Sequence, residues 1–292
     1  MVELISDIEQ VVLKALFVVF ATGLLAYLGY VVTGARWARV VATVAAGLAA
    51  LGSIADSALR GIAMGRMPTA TLFEYSILMI FFAVALFLVI DWQAARRGTD
   101  LAVIGAFVMG VCLALLLFLY YGMGIGHQTA SQIMPVLVSK WRTIHIVGGA
   151  ISYGGIILAF GFGLLYLLRP RLAKETPGAT EYRIPNLDTL DRYCYLSVAL
   201  SFPFLTLLNV TGAIWAASSW NRVWQWDPKE VWGLITWLVY AAYLHIRLRL
   251  EWRGQKVAWL AVIGFGVMAF TFLGVNYLPK FAGSLHSYAS GK

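Results

Sequence analysis

The chain has 292 residues, of which 61% are hydrophobic and 12% are charged, and its formal net charge is +8. This composition is too apolar for a soluble domain and is typical of a multi-pass membrane protein. Basic loops flanking membrane helices account for the positive charge, so no nucleic-acid partner is needed to explain it.

Apolar runs recur along the whole chain at the length that a membrane-spanning helix requires. A bilayer needs about 20 apolar residues per helix. Eight runs meet this condition, at roughly 11–33, 39–59, 70–90, 101–121, 143–168, 193–216, 232–248 and 257–277. The connections are mostly short. We therefore expect an all-α, polytopic helical bundle in which residues 1–292 form a single integral membrane domain.

The charges before the first run and the longest polar interval both bear on the organisation of the chain. The first run is preceded by Glu3, Asp7 and Glu9 rather than by basic residues, so we expect a permanent helix and not a cleavable signal peptide. The longest polar interval, residues 169–192, contains three prolines and five basic residues. We interpret this interval as a loop rather than a further domain.

The distribution of Lys and Arg predicts the orientation, because basic loops remain on the cytoplasmic side. Thirteen of these residues follow the odd-numbered runs, and eight lie on the opposite side. We therefore expect both termini, and the loop between the sixth and seventh runs, to face the periplasm across a plasma (inner) membrane. In a photosynthetic source the membrane could equally be the thylakoid.

The sixth and seventh runs are joined by a segment that is rich in tryptophan. Six of the eleven tryptophans lie within residues 215–237, at positions 215, 220, 224, 226, 232 and 237. Tryptophan is common at membrane interfaces, but its concentration in one loop favours a flat aromatic surface for a large planar ligand.

The same segment predicts where the seventh helix begins. Asp227, Pro228 and Glu230 have the residue types of an N-cap, a first helical position and an N3 position. Arg222 and Lys229 lie beside this helix start, whose free N–H groups favour anions. These two cations could bind the carboxylates of a ligand, or they could contact lipid phosphates.

Histidines are scarce in this chain and lie at positions 127, 145, 245 and 286. A single histidine in a helix is usually a packed residue, but His145 and His286 are both predicted on the side of the tryptophan loop. Neutral imidazole is the commonest non-covalent ligand of haem iron.

His245 lies inside the seventh run, about 17 Å inward from Leu234 at 1.5 Å per residue. It fits either a functional site within the membrane or a hydrogen-bonded position beside Arg247. The two cysteines, Cys112 and Cys194, form no CxxC pair, which excludes a covalent haem site of the chain's own and thiol exchange.

Four segments resemble a known family. The segment from Trp215 to Arg247, with WNRVWQWDPKEVW near its start, resembles the tryptophan-rich WWD signature of haem-handling proteins in cytochrome c maturation, and more narrowly the CcsA/ResC type of the system II pathway. The resemblance extends to PTATLFEYSILM at 68–79, KWRTIHIVGGAISYG at 140–154 and FLGVNYLPKFAGSLHSYA at 272–289.

The resemblance implies a role for individual residues. His145 and His286 would be the axial ligands of haem iron at an external site, and His245 would contribute to an inner haem site. Residues 215–237 would form the haem-presenting segment. In this segment the resemblance implies that Trp220, Trp224, Trp226, Asp227 and Pro228 cradle the porphyrin. From the tryptophan clustering and the charges we expect further contacts from Trp215, Arg222, Lys229 and Trp232.

The resemblance also implies a function. The chain would transport haem b, held non-covalently in transit, and present it to an apocytochrome c that carries a CxxCH motif. It would be the haem-presenting subunit of a cytochrome c synthase (haem lyase), with no catalytic residue of its own assigned, and would need a separate CcsB/ResB-like membrane subunit. One alternative is a WWD protein of the other maturation pathway, which delivers haem to a chaperone. A metal-free polytopic transporter would explain the helices and the charge, but not the histidines and tryptophans.

Overall fold

The computed structural model describes residues 2–122, 139–175 and 183–275. These residues form helices and contain no strand. The helices are α1 (Val2–Thr33), α2 (Arg36–Met64), α3 (Leu72–Ala95), α4 (Ala102–Leu117), α5 (Lys140–Glu175), α6 (Leu187–Trp220), α7 (Pro228–Arg249) and α8 (Gln255–Ala269). Helix α4 continues into the π-helical turn Phe118–Gly122, and α8 into Phe270–Gly274. The described residues provide eight helices long and apolar enough to cross a membrane, which confirms the prediction of an all-α polytopic bundle.

The interpretation of residues 169–192 as a loop is wrong at both of its ends. Helix α5 continues to Glu175, and α6 already begins at Leu187. An apolar run stops at the first charged residues, but a helix need not, because Arg, Lys and Glu are good helix formers. The Asn186 side chain caps α6 by accepting a hydrogen bond from the Thr189 N–H at 2.8 Å.

Helix α5 lies at the centre of the bundle and packs against α3, α6 and α8. Glycines on α5 allow this close approach, as is usual for membrane helices. A Cβ atom at Gly154 would lie 2.8 Å from the backbone nitrogen of Ala83 in α3, and one at Gly155 would lie 2.0 Å from the Ser201 Oγ in α6. Helix α1 lies further from this centre and contacts α2 and α4, and α2 in turn contacts α3.

Ion pairs connect neighbouring helices at both ends of the bundle. Arg60–Glu9 and Arg66–Glu74 lie at the end where α7 begins, and Arg39–Asp91 and Arg247–Asp191 lie at the end where α7 finishes. The Arg60 and Glu9 side chains are only 2% and 5% exposed. The first two pairs fix chain segments at the end of the bundle where α7 begins, and the other two fix helix ends at the opposite end.

Candidate functional site

The tryptophan-rich segment is a short loop between two well-defined helix ends. Helix α6 ends at Trp220 and is capped by Asn221, which adopts a left-handed backbone conformation (φ 57°) and whose N–H donates to the Ala217 carbonyl at 3.0 Å. Helix α7 begins with Asp227 as N-cap, Pro228 in the first turn and Glu230 at N3 in a capping box. The helix start predicted from the sequence is thus confirmed.

Glu230 also organises the backbone that precedes α7. Its Oε2 atom accepts hydrogen bonds from the N–H groups of Gln225, at 2.8 Å, and Asp227, at 3.2 Å. Between them, Trp226 has φ 59°, a left-handed conformation that costs a residue with a side chain roughly 1–2 kcal/mol. The carboxylate therefore holds a strained tryptophan from both sides.

A cavity opens at the end of the bundle where α7 begins, which we call the cavity end. Its walls come from α3, α5, α6, α7 and the π-helical turn after α8, and its empty space is about 1180 Å³ including the opening to solvent. Of the residues predicted to form the site, His145, Trp215, Trp224 and Lys229 line this cavity.

His145 is held against α6 within the cavity. Its Nδ1 atom lies 2.7 Å from the carbonyl oxygen of Leu208. The centroid of its ring is 6.0 Å from that of Trp215, which is buried and lies 5.6 Å from Trp220. The imidazole is thus placed beside an aromatic wall.

Other residues that the sequence predicted for the site support it but do not line the cavity within the described segments. Asp227 and Pro228 form the helix start, whereas Trp220 packs behind Trp215. The Trp232 ring lies 4.3 Å from Phe270, and its carbonyl accepts hydrogen bonds from two threonine hydroxyls, so it joins α7 to the π-helical turn.

Two predicted residues of the loop face solvent. Arg222 is exposed, and Trp226 is 76% exposed with its ring 5.6 Å from that of Trp224. Neither is among the residues that line the cavity within the described segments.

Arg142 belongs to the cavity wall and had been assigned no role from the sequence. It is only 5% exposed and lines the cavity. Its guanidinium donates to the Thr69 carbonyl at 2.5 Å and contacts the Thr69 hydroxyl at 3.3 Å. The sequence contained one indication that Arg142 lies at the site: it precedes His145 by three residues, and residues three apart share one helix face.

An aromatic cluster that includes no residue of the tryptophan loop also lines the cavity. The ring centroids of Tyr75 and Phe272 are 5.1 Å apart, and Tyr153 lies 6.0 Å from each of them. These residues come from α3, α5 and the π-helical turn, so no local sequence pattern could have brought them together. Such turns frequently occur at functional sites.

His245 lies far from the cavity. It is separated from Lys229 by sixteen helical positions, or about 24 Å at 1.5 Å per residue. Arg247 points inward to Asp191 on α6, and residues two positions apart point to nearly opposite sides of a helix. His245 is accordingly exposed on the outer face of α7.

The remaining histidines, His127 and His286, lie outside the described residues, so the pairing of His145 with His286 stays a prediction. Across residues 2–122, 139–175 and 183–275, no group of three or more His, Cys, Asp or Glu side chains could hold a metal ion. An iron centre in this part of the chain would depend on single imidazole ligands, as iron in a porphyrin does.

Fold and site together define a polytopic helical membrane protein with an aromatic, histidine-bearing cavity at one end. Residues 69–282 match the family model described as cytochrome C assembly protein. A cytochrome c biogenesis protein CcsA from Guillardia theta is 32% identical over 245 residues, covering 78% of this chain and 79% of that protein. The chain therefore belongs to the cytochrome c assembly protein family and is of the CcsA type. It acts in cytochrome c biogenesis, a process in which this family handles haem.

Further comparisons agree with this assignment. A CcsA protein from Thermosynechococcus vestitus is 32% identical over 267 residues, covering 79% of this chain and 81% of its own length. One from Chlamydomonas reinhardtii is 39% identical over 185 residues, covering 63% of this chain and 51% of its own. The solved structure of a cytochrome c haem lyase CcmF superimposes with a TM-score of 0.68 at 18% identity, over 91% of this chain and 46% of that chain. This last likeness concerns the fold alone.

Proposed function

We propose that this chain presents haem b at the cavity end, on the outer side of the membrane, for covalent attachment to apocytochrome c. The observation that carries the proposal is the position of His145 in a cavity whose walls include Trp215 and Trp224. An imidazole beside flat aromatic rings offers an iron ligand and stacking surfaces in one place.

The charges of the cavity also suit this cargo. A porphyrin of the b type carries two propionate carboxylates, and the cavity wall contains the cations Lys229 and Arg142. The Glu230 carboxylate also lines the cavity, but it accepts hydrogen bonds from the N–H groups of Gln225 and Asp227. Lys229 lies in the first turn of α7, where backbone N–H groups add to the attraction for anions. We assign propionate binding to this side of the cavity, with Arg222 on the solvent side of the same loop.

The second external ligand in this proposal is His286. The π-helical turn that contributes to the cavity wall ends at Gly274, twelve residues before His286, and twelve residues can span up to about 40 Å when extended. The length of chain is therefore sufficient for His286 to reach iron that is bound to His145.

In this proposal the reacting groups of the attachment step belong to the haem and the apocytochrome, and no side chain of this protein is assigned a catalytic role. Each thiol of the CxxCH motif adds across one haem vinyl group: a carbon–sulfur bond forms, and the thiol hydrogen passes to the other vinyl carbon. The addition therefore needs no oxidant. The histidine of the motif replaces one axial ligand, while this chain orients the porphyrin and ligates its iron, a usual division of labour between protein and cofactor.

His245 is proposed to belong to a separate inner site. It lies about 24 Å along α7 from the cavity and is exposed on the outside of the bundle, so it cannot ligate the same iron as His145. A CcsB/ResB-like subunit packed on this face of α7 could complete the site.

The decisive experiment replaces His145 with Ala in cells that also produce a CcsB/ResB-like subunit and an apocytochrome c. We expect less covalently attached haem and less haem purified with the chain, and partial recovery of both with added imidazole, which can fill the vacant iron position. His127→Ala is the matched control. His127 lies between the fourth and fifth apolar runs, which the predicted orientation places on the outer side, and it has no assigned role. Normal maturation in the His145→Ala variant would refute the proposal.

A further inference from the structure

The contact between His145 and α6 determines which nitrogen of the imidazole carries the proton. The Nδ1 atom lies 2.7 Å from the Leu208 carbonyl oxygen. A carbonyl oxygen only accepts hydrogen bonds, so Nδ1 must be the donor. In the neutral ring, the lone pair available to a metal is then on Nε2.

The ring reaches this carbonyl because α6 has no side chain at position 212. A Cβ atom there would lie 3.0 Å from both Nδ1 and Cε1 of His145, whereas favourable carbon contacts are about 3.5–4.0 Å. Any side chain at position 212 would therefore displace the imidazole by several tenths of an ångström.

Leu208 and Gly212 are four residues apart on α6, so they lie one above the other on the same helix face. The hydrogen-bond acceptor and the open space together form a slot for one flat ring. Trp215, one turn further along α6, lies beside the same ring at 6.0 Å between centroids.

We propose that Leu208 and Gly212 are positioning residues that fix the tautomer and the orientation of His145, so that Nε2 is the iron-binding atom. This inference rests on the proposed role of His145 as a haem ligand. A hydrogen bond from the non-ligating nitrogen to a carbonyl increases the basicity of the imidazole and strengthens its bond to a metal; the loss of such a partner typically weakens metal affinity about 10–100-fold.

The first test needs no substitution in α6. With ¹⁵N-labelled histidine in the full chain, two-bond ¹H–¹⁵N correlations report which ring nitrogen is protonated. The chain has four histidines, and the signals of His145 are those lost in the His145→Ala variant. We expect His145 in the haem-free protein to carry its proton on Nδ1; a proton on Nε2 in the neutral ring would overturn the inference.

The second test is Gly212→Ala, with Gly266→Ala as the control. Both substitutions add one methyl group to a helix, but a Cβ at Gly266 meets nothing within 4 Å. Haem titration of the purified full chain, followed in the Soret band, should show about tenfold weaker binding for Gly212→Ala and an unchanged affinity for Gly266→Ala. The bound iron in Gly212→Ala should also have a higher midpoint potential, because a weaker donor stabilises ferric iron less.

These tests separate the inference from the function on which it rests. An unchanged haem spectrum in His145→Ala would refute the ligand assignment itself. If the spectrum of His145→Ala is altered but Gly212→Ala and Gly266→Ala bind haem with equal affinity, only the positioning role is refuted. If Gly212→Ala does not fold, the tautomer of the unmodified protein still decides the question.

Discussion

Replacing Glu230 with Ala removes the side chain that holds the tryptophan loop against α7. The Glu230 carboxylate accepts hydrogen bonds from the backbone N–H groups of Gln225, at 2.8 Å, and Asp227, at 3.2 Å. Trp226, between them, is in a left-handed conformation that does not persist without compensation. We expect the loop to lose this conformation while the remaining helices stay folded.

The magnitude follows from the two hydrogen bonds. Bonds to a charged acceptor contribute roughly 1.5–3 kcal/mol each when buried, but part of this loop is exposed, so water can replace the lost acceptor. About 1 kcal/mol for each bond, or about 2 kcal/mol in all, is the appropriate estimate. Local opening of residues 221–230 should then become about 30-fold more frequent.

Hydrogen exchange followed by mass spectrometry measures this opening directly. Peptides covering 221–232 should exchange about 30-fold faster in Glu230→Ala, whereas peptides from α3 and α5 should be unchanged. Haem affinity should also fall, because Trp224 of this loop lines the cavity.

Two controls make the result interpretable. Glu230→Gln keeps an acceptor oxygen and should recover part of the protection. Glu251→Ala removes an exposed carboxylate near the other end of α7 and should leave the loop unaffected. Exchange in Glu230→Ala as slow as in the unmodified protein would show that the two hydrogen bonds do not hold the loop.

Three further outcomes are expected. Arg60→Ala leaves the Glu9 carboxylate buried without its partner and should lower the free energy of unfolding in detergent by roughly 3–5 kcal/mol. The double replacement of Arg60 and Glu9 by Met should recover most of the lost stability. An equal loss in both variants would show that the unpaired carboxylate is not the cause. An impermeant thiol reagent on intact cells should label Ser218→Cys and not Thr180→Cys, and the reverse pattern would invert the proposed orientation. His245→Ala should reduce the haem acquired during biosynthesis while the purified variant still binds added haem, whereas full haem content would remove the case for an inner site.

Much of the architecture could be predicted because the membrane imposes strong local rules. A backbone in hydrocarbon must satisfy its own hydrogen bonds within a helix, so apolar runs of sufficient length identify the helices. The start of α7 was equally predictable, since the Asp227 and Glu230 carboxylates accept hydrogen bonds from neighbouring N–H groups and Pro228 presets the helical backbone, all without any tertiary contact. Charged helix ends such as Glu175 were missed because polarity marks the membrane boundary and not the end of a helix.

The composition of the site depended on tertiary structure. The sequence by itself determined the helices, the tryptophan loop and the resemblance that pointed to His145. It could not show that Trp224 lines the cavity while Trp226 is exposed, because the other walls of the cavity come from helices that are distant in sequence. Nor could it show that His145 meets the Leu208 carbonyl across a gap left by Gly212. That contact joins residues 63 positions apart, and only the packing of α5 against α6 brings them within hydrogen-bonding distance.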